Sequence, residues 1–201
     1  MGMKLTASEL KERYPRKFEK EHEDWINQLW DDWWDYVWEG FKEDMQAKGM
    51  SELEGPQFDL YRRYAMFSGT LKLSTIMEET GAHEKYYPLY LAVVQARDYV
   101  RCHPKSRSDT LGVAVSSYSF SSNPEGVFSD MDDDDWQDLV GDLWKQCDPE
   151  SLALEYCNDL CHDLLKRLDD AYGWETSEEN FIEMCETNEV TFEVNDDEIQ
   201  D

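Results

Sequence analysis

The residues whose type and spacing could form a chemical site are carboxylates in the last third of the chain. The run formed by Asp130 and Asp132–Asp135 looks like a cation-binding loop. An EF-hand loop that began at Asp130 would need glycine at its sixth position and glutamate at its twelfth, where this sequence has Asp135 and Gly141. Acids in the first turn of a helix, by contrast, lie at the positive end of the helix dipole. We therefore predict a helix start here and no metal.

Cysteine and histidine residues offer a second combination that could hold a metal. Cys157, Cys161 and His162 are close in sequence, and the distant pair Cys102-His103 could join them. No two cysteines have the C-x-x-C spacing, and Cys157 and Cys161 fall on the apolar stripe of a predicted helix. Buried, reduced thiols are therefore the better interpretation, and the odd total of five cysteines agrees with a reducing compartment. We predict no cofactor.

Catalytic motifs are not evident in the sequence. The four histidines form no pattern with carboxylates, and the chain has neither a Gly-rich phosphate loop nor a nucleophile elbow. The sequence predicts a protein that is not an enzyme. An enzyme whose catalytic groups converge from distant segments remains the open alternative.

The charge of the chain is unusually negative and unevenly distributed. The net charge is −27, and residues 1–50 carry −4, residues 51–110 carry 0 and residues 111–201 carry −23. Such a chain repels phosphate, which argues against direct binding of nucleic acid and against docking on an anionic membrane. A basic protein is the partner that this charge favours. At 40 % apolar and 13 % aromatic residues, the chain should nevertheless fold.

Two rows of carboxylates, with steps of three or four residues on predicted helices, carry much of this charge. At a rise of about 1.5 Å per residue, one row presents a charge every roughly 5–6 Å, and two adjacent rows present one about every 3 Å. One DNA strand carries a phosphate about every 3.4 Å along the helix axis. The rows are Asp135, Asp138 and Asp142, and Glu155, Asp159 and Asp163.

These six acids are the predicted partner-binding residues. Each row lies opposite the apolar stripe of its own helix, so both rows should face water. Two interpretations stay open, which are imitation of DNA phosphate charge and ordinary solvation of exposed helices. Like charges one turn apart cost stability, and only Lys145, Lys166 and Arg167 offset the acids of residues 111–201, which favours the first interpretation.

Periodicity predicts an α+β fold that is predominantly helical with a small antiparallel sheet. We expect one domain over residues 1–194, with a Trp-rich helix over 16–48, a strand region over 58–120, an acidic helical region over 131–187 and a flexible acidic tail over 195–201. The five tryptophans between Trp25 and Trp38 form either core or a docking face. Without an apolar leader or a long apolar run, the protein is expected in the cytoplasm.

Finer signals place the individual elements. Residues 49–60 should be a connection, 61–74 a strand with a turn or bulge near Gly69, 84–100 either helix or strands, and 111–120 a strand. Asn123–Gly126 should be a turn. Asp148 and Pro149 should start a helix that Gly173 ends, a capping box at Thr176 should start the next, and residues 190–194 should form the last strand.

The segment Asp159–Tyr172, followed by Thr176–Glu179 and Thr187–Phe192, resembles a family of small acidic phage and prophage proteins. Members are often labelled hypothetical, or "antitoxin of a toxin–antitoxin stability system". The likeness is most specific over residues 156–194, in the helix, the capped helix and the Asn-Glu-x-x-Phe strand. The resemblance implies an α+β fold and phage ancestry.

Charge and resemblance together favour a phage-encoded, non-enzymatic inhibitor. Its target would be a basic surface on a host nucleic-acid-handling or defence protein, which would make it a DNA mimic with an antirestriction-like role. The alternative is an antitoxin-like protein that neutralises a cognate toxin through the Trp-rich helix. A homodimer stays open in either case.

Overall fold

The computed structural model describes residues 3–29, 31–96, 99–104, 113–117 and 134–194. The strands are β1 (Met3–Leu5), β2 (Ser51–Asp59), β3 (Tyr64–Lys72), β4 (Tyr99–Pro104), β5 (Val113–Ser117) and β6 (Phe192–Val194). The helices are α1 (Ala7–Arg13), α2 (Pro15–Ile26), α3 (Asp35–Ala47), α4 (Leu73–Glu79), α5 (Ala82–Lys85), α6 (Tyr87–Ala96), α7 (Asp134–Cys147), α8 (Pro149–Glu175) and α9 (Glu178–Thr187). The predicted α+β class is confirmed.

The chain divides into two compact units. Unit 1 comprises Met1–Val37 and Leu168–Asp201, and unit 2 comprises Trp38–Arg167. The single domain predicted over residues 1–194 stays a prediction. The predicted turn at Asn123–Gly126, the acids Asp130, Asp132 and Asp133, and the tail over 195–201 lie outside the described residues.

Unit 1 brings the two ends of the chain together in a short antiparallel sheet. Strand β1 pairs with β6, with Met3 opposite Val194 and Leu5 opposite Phe192. A capping box starts α1, because the Thr6 hydroxyl accepts from the backbone N–H of Glu9 while the Glu9 carboxylate accepts from that of Thr6. The buried core under these elements consists of Leu5, Ala7, Leu10, Phe18, Phe181, Cys185 and Val194.

The long N-terminal helix predicted over residues 16–48 is wrong, because the structure has α2 and α3 separated by turns. The N–H of Leu29 donates to the carbonyl of Ile26, and that of Asp35 donates to the carbonyl of Asp32, both with the shorter i−3 pairing of turns. Apolar periodicity continued through this segment, but aspartate residues favour turns and helix starts over helix interiors.

The start of α9 lies one residue later than predicted. The Ser177 hydroxyl accepts from the N–H of Asn180, whereas the Thr176 hydroxyl donates to the carbonyl of Tyr172 and belongs to the end of α8. Gly173 does not end α8, which continues to Glu175. A glycine ends a helix when it adopts a left-handed conformation, and Gly173 does not have a positive φ.

Unit 2 contains an antiparallel sheet with the strand order β2-β3-β4-β5. Residues 49–60, predicted as a connection, include the strand β2, and Gly55 and Pro56 fit into it because irregularities interrupt its register. Of the turn or bulge predicted near Gly69, the turn is wrong, since β3 continues through Gly69 opposite Cys102 of β4. An irregularity in the β2–β3 register does lie here, between the pairs Ser51–Thr70 and Glu54–Ser68. A Cβ atom at Gly69 would lie 2.7 Å from Sδ of buried Met50, so the Met50 side chain would have to shift to accommodate it.

The strand region predicted over 58–120 contains helices as well. Helices α4, α5 and α6 lie between β3 and β4, and the ambiguous segment 84–100 holds both α6 and the first residues of β4. Strand β5 lies within the predicted 111–120. The acidic helical region over 131–187 corresponds to α7, α8 and α9, although Leu139, assigned by periodicity to a buried stripe, is 45 % exposed.

The packing at Gly69 generates a stability prediction. Gly69→Ala should lower the free energy of unfolding by about 1–3 kcal/mol, because the added methyl group overpacks Met50 and Leu53. Gly141→Ala in α7 is the matched control, since a Cβ there meets nothing within 4 Å. It should raise the free energy of unfolding by about 0.5–1 kcal/mol. Urea denaturation measures both, and equal stability of the two variants would contradict the proposed packing.

Candidate protein-binding surface

The acidic row on α8 is accessible at its N-terminal end. Glu155 and Asp159 are exposed, and they lie one helical turn apart on the face opposite the buried Cys157 and Leu164. The orientation follows from the 3.6-residue period, which places a four-residue step on one face. Glu155 and Asp159 therefore face water, which is the orientation that the spacing predicts.

The C-terminal member of this row is engaged by a cation. Arg167 donates from Nε to Asp163 Oδ2 at 2.9 Å and from Nη1 to Asp44 Oδ2 at 2.6 Å, and its guanidinium lies 5.5 Å from the centre of the Phe41 ring. Burial opposes the charge of Arg167, but the hydrogen bonds and charges of Asp44 and Asp163 outweigh it and raise the pKa of the guanidinium. Asp163 is therefore less available to a partner than Glu155 and Asp159.

Asp44 was missed by sequence reasoning. It lies on α3, 123 positions before Arg167, and only the packing of unit 2 brings the two together. Nothing in the local sequence distinguishes Asp44 from the other exposed acids of its helix. The surface around Asp163 consequently has two carboxylates and one guanidinium.

The row on α7 is described only at its C-terminal member. The Asp142 side chain is 72 % exposed, and Lys145 Nζ approaches it at 3.6 Å with 80 % exposure. A pair this exposed is worth little energy. Asp135 and Asp138 belong to α7, but their side chains lie outside the described part of the structure. The adjacency of the two rows stays a prediction.

Asp148 joins the two acidic helices. Its Oδ1 accepts from the N–H of Ser151 at 3.3 Å and its Oδ2 accepts from the Ser151 hydroxyl at 2.7 Å, so it caps α8 as predicted. Its backbone adopts φ 46°, in the left-handed region. Because a single residue separates α7 from α8, the direction of each acidic row depends on this junction.

The cysteines are mostly buried, and strand β4 brings one of them to the stripe of α8. Cys102, Cys157 and Cys161 form a hydrogen-bonded group of thiols. Hydrogen bonds to Cys157 and Cys161, followed by burial, raise the pKa of Cys102, so this thiol keeps its proton. In the ranges that the structure describes, no group of three or more His, Cys, Asp or Glu residues has the geometry to hold a metal ion.

The tryptophans divide between core and surface. Trp38 is buried and stacks on Phe41 in unit 2, and in unit 1 Trp25 packs against the core with its ring 5.4 Å from that of Phe181. Trp33 and Trp34 are half-buried. Trp30 lies outside the described residues. The core interpretation therefore holds for Trp25 and Trp38.

Comparison with family models, with curated proteins and with solved structures finds no match for this chain. Among the described residues, no helix is both long enough and apolar enough to cross a bilayer. The case for a function therefore depends on the surface chemistry.

Burial predicts the order in which the thiols react. Iodoacetamide should alkylate half-buried Cys147 in the folded protein well before Cys102, Cys157, Cys161 and Cys185, which are buried. All five should react at similar rates in denaturant. Peptide mapping by mass spectrometry measures each rate, and equal labelling of Cys102 and Cys147 in the folded protein would contradict the described packing.

Proposed function

We propose that the protein is a phage-encoded, non-enzymatic inhibitor that binds a basic surface on a host nucleic-acid-handling or defence protein. The observation that carries this proposal is the exposure of Glu155, Asp159 and Asp142 in a segment whose net charge is −23. The carboxylates would imitate the phosphates of the nucleic acid that the target normally binds. Phage origin is supported by the resemblance of residues 156–194.

The balance of charges supports a negative field that reaches beyond the surface. Residues 111–201 contain three basic residues, and two of them, Lys145 and Arg167, already pair with acids of the same unit. Little positive charge remains there to screen Glu155 and Asp159. The field of such a surface extends over a Debye length, about 8–10 Å at physiological ionic strength, and steers a basic partner toward it.

The spacing of these acids supports the choice of a DNA-binding partner. A four-residue step on an α-helix separates Glu155 from Asp159 by roughly 6 Å along the axis, close to twice the axial rise of roughly 3.4 Å per phosphate of one DNA strand. A basic groove that accommodates successive phosphates could therefore contact both carboxylates. The same charge disfavours direct binding of nucleic acid and of anionic membranes.

The cytoplasm of the host is the proposed site of action. Nucleic-acid-handling targets are found there, and the five free cysteines are compatible with a reducing compartment. The antitoxin alternative has less support, because it relied on a continuous Trp face. The structure divides that segment into α2 and α3 and buries Trp38.

Removing the accessible carboxylates tests the proposal. The target is captured from a bacterial host lysate at low salt, identified by mass spectrometry and purified, and its affinity is measured by calorimetry. The variant Asp142→Asn, Glu155→Gln, Asp159→Asn, Asp163→Asn should bind about tenfold more weakly or worse, because it loses three exposed carboxylates of the acidic rows together with Asp163, which Arg167 engages.

A matched control removes the same number of exposed carboxylates elsewhere, with Glu12→Gln, Glu19→Gln, Glu23→Gln and Glu43→Gln. Its net charge equals that of the test variant, so it separates the surface from bulk charge. The control should bind within about threefold of the parent. Equal losses in both variants would contradict a localised binding surface.

Salt dependence provides a second prediction. The affinity for the purified target should fall steeply as NaCl rises from about 50 mM to about 200 mM, because the contacts are between charges. Double-stranded DNA added to the complex should compete for the target. Binding that is indifferent to salt and unaffected by a DNA excess would show that the carboxylates do not occupy the DNA site.

A further inference from the structure

Unit 1 contains a cleft whose lining differs in chemistry from the acidic rows. It has a volume of about 360 Å³ and lies among the turns before α3, the first residues of α3 and the last residue of α8. Its described lining includes no basic residue. The lining residues are Leu29, Asp32, Trp33, Asp35, Tyr36 and Glu175.

Two aromatic rings contribute to the walls of this cleft. Trp33 is half-buried, and its ring packs at 55° on that of Tyr172 with the centres 5.3 Å apart. Tyr36 is 56 % exposed, and burial, followed by the charge and hydrogen bond of Glu175, raises the pKa of its hydroxyl. Tyr36 therefore stays neutral at physiological pH, and both aromatic residues line the cleft together with acidic residues.

Three carboxylates share the cleft, and helix electrostatics accounts for only part of this arrangement. Asp35 lies in the first turn of α3, where the helix dipole favours an acid. Glu175 is the last residue of α8, where the dipole disfavours one. Its carboxylate also lies 3.5 Å from the amide nitrogen of Asn180, which is a neutral partner. A cation in the cleft would compensate the charges of Asp32, Asp35 and Glu175 together.

We propose that this cleft binds the guanidinium group of an arginine side chain presented by a basic partner protein. A guanidinium is planar, stacks on aromatic faces and donates to carboxylates in a fork, so it matches both the rings and the acids. An ammonium group matches the charge but lacks the planar stacking surface. A metal ion has less support, because the acids of the described residues, those of the cleft included, form no group of three or more with the geometry to hold one.

This inference goes beyond the proposed function and does not depend on it. The cleft belongs to unit 1 and includes none of the six carboxylates assigned to the acidic rows. Arginine is common on surfaces that bind DNA, so a DNA-binding protein is one source of such a side chain.

Nuclear magnetic resonance on the full chain tests the proposal with a defined probe. The peptide acetyl-Arg-Gly-Arg-Gly-Arg-amide is titrated while the indole N–H signals are followed, and the lysine peptide of equal charge is titrated in parallel. The Trp33 signal should shift saturably, with at least about threefold higher affinity for the arginine peptide.

Variants of the cleft locate the binding. Trp33→Leu, Tyr36→Leu and Glu175→Gln should each weaken binding of the arginine peptide by about threefold to tenfold. Glu183→Gln, which removes an exposed carboxylate of α9 in the same unit, should change the affinity by less than about twofold. Dispersed amide spectra establish that each variant folds, and if Trp33→Leu does not, Tyr36→Leu and Glu175→Gln decide the matter.

The outcomes separate the cleft from general charge attraction. Equal binding of the two peptides, with no loss in the cleft variants, would overturn the proposal. The variant of Asp142, Glu155, Asp159 and Asp163 described above should keep the arginine-specific shift of Trp33. If that variant loses partner binding but keeps the Trp33 shift, the loss comes from the acidic rows and not from the cleft.

Discussion

The burial of one stripe of α8 is the constraint on which the acidic surface depends. Cys157, Leu164 and Leu168 are at most 1 % exposed, and burying a leucine side chain contributes about 1.5–3 kcal/mol. A pair of like charges one turn apart costs about 0.2–0.5 kcal/mol. The buried stripe therefore outweighs the repulsion between Glu155 and Asp159 several-fold. A helix held this firmly on one face can carry uncompensated charge on the other.

At Arg167, by contrast, the charge of the acidic side chains is compensated. Asp163 and Asp44 come from different helices of unit 2, and both accept from the same guanidinium. Without Arg167 the two carboxylates would face each other in a half-buried setting, where repulsion is screened less than it is in water. Arg167 lies where two acidic helices converge, whereas neither Glu155 nor Asp159 forms an ion pair among the described residues.

Local periodicity predicted the parts of the fold that short-range interactions determine. The stripe of α8, the Asp148 cap and the pairing-competent strand at Phe192–Val194 all follow from residue types within a few positions. The turns between α2 and α3 did not follow, because the apolar pattern runs through them and hydrogen bonding alone distinguishes turn from helix. Strand β2 was missed since Gly55 and Pro56 suggest a loop unless a neighbouring strand accommodates them.

The proposed binding features also divide into those that the local sequence predicts and those that it does not. Exposure of Glu155 and Asp159 could be predicted from helical spacing, because a row and its opposite stripe belong to one helix. The contact of Asp44 with Arg167, the thiol group around Cys102 and the cleft at Glu175 could not. Each requires elements that are far apart in sequence to pack together, and their residues have no shared local pattern.

The position of each acid along its helix indicates whether it contributes to the stability of that helix. Asp148 caps α8 and Asp35 lies in the first turn of α3, so both contribute to helix stability at the positive end of a dipole. Glu155 and Asp159 gain less from the dipole because its effect falls off beyond the first turn, and Glu175 opposes it. A cationic partner would supply a physical reason for the carboxylates that the helix dipole does not favour. On that ground we propose Glu155 and Asp159, near the N-terminal end of α8, and Glu175, at its C-terminal end, as the places where a basic protein binds.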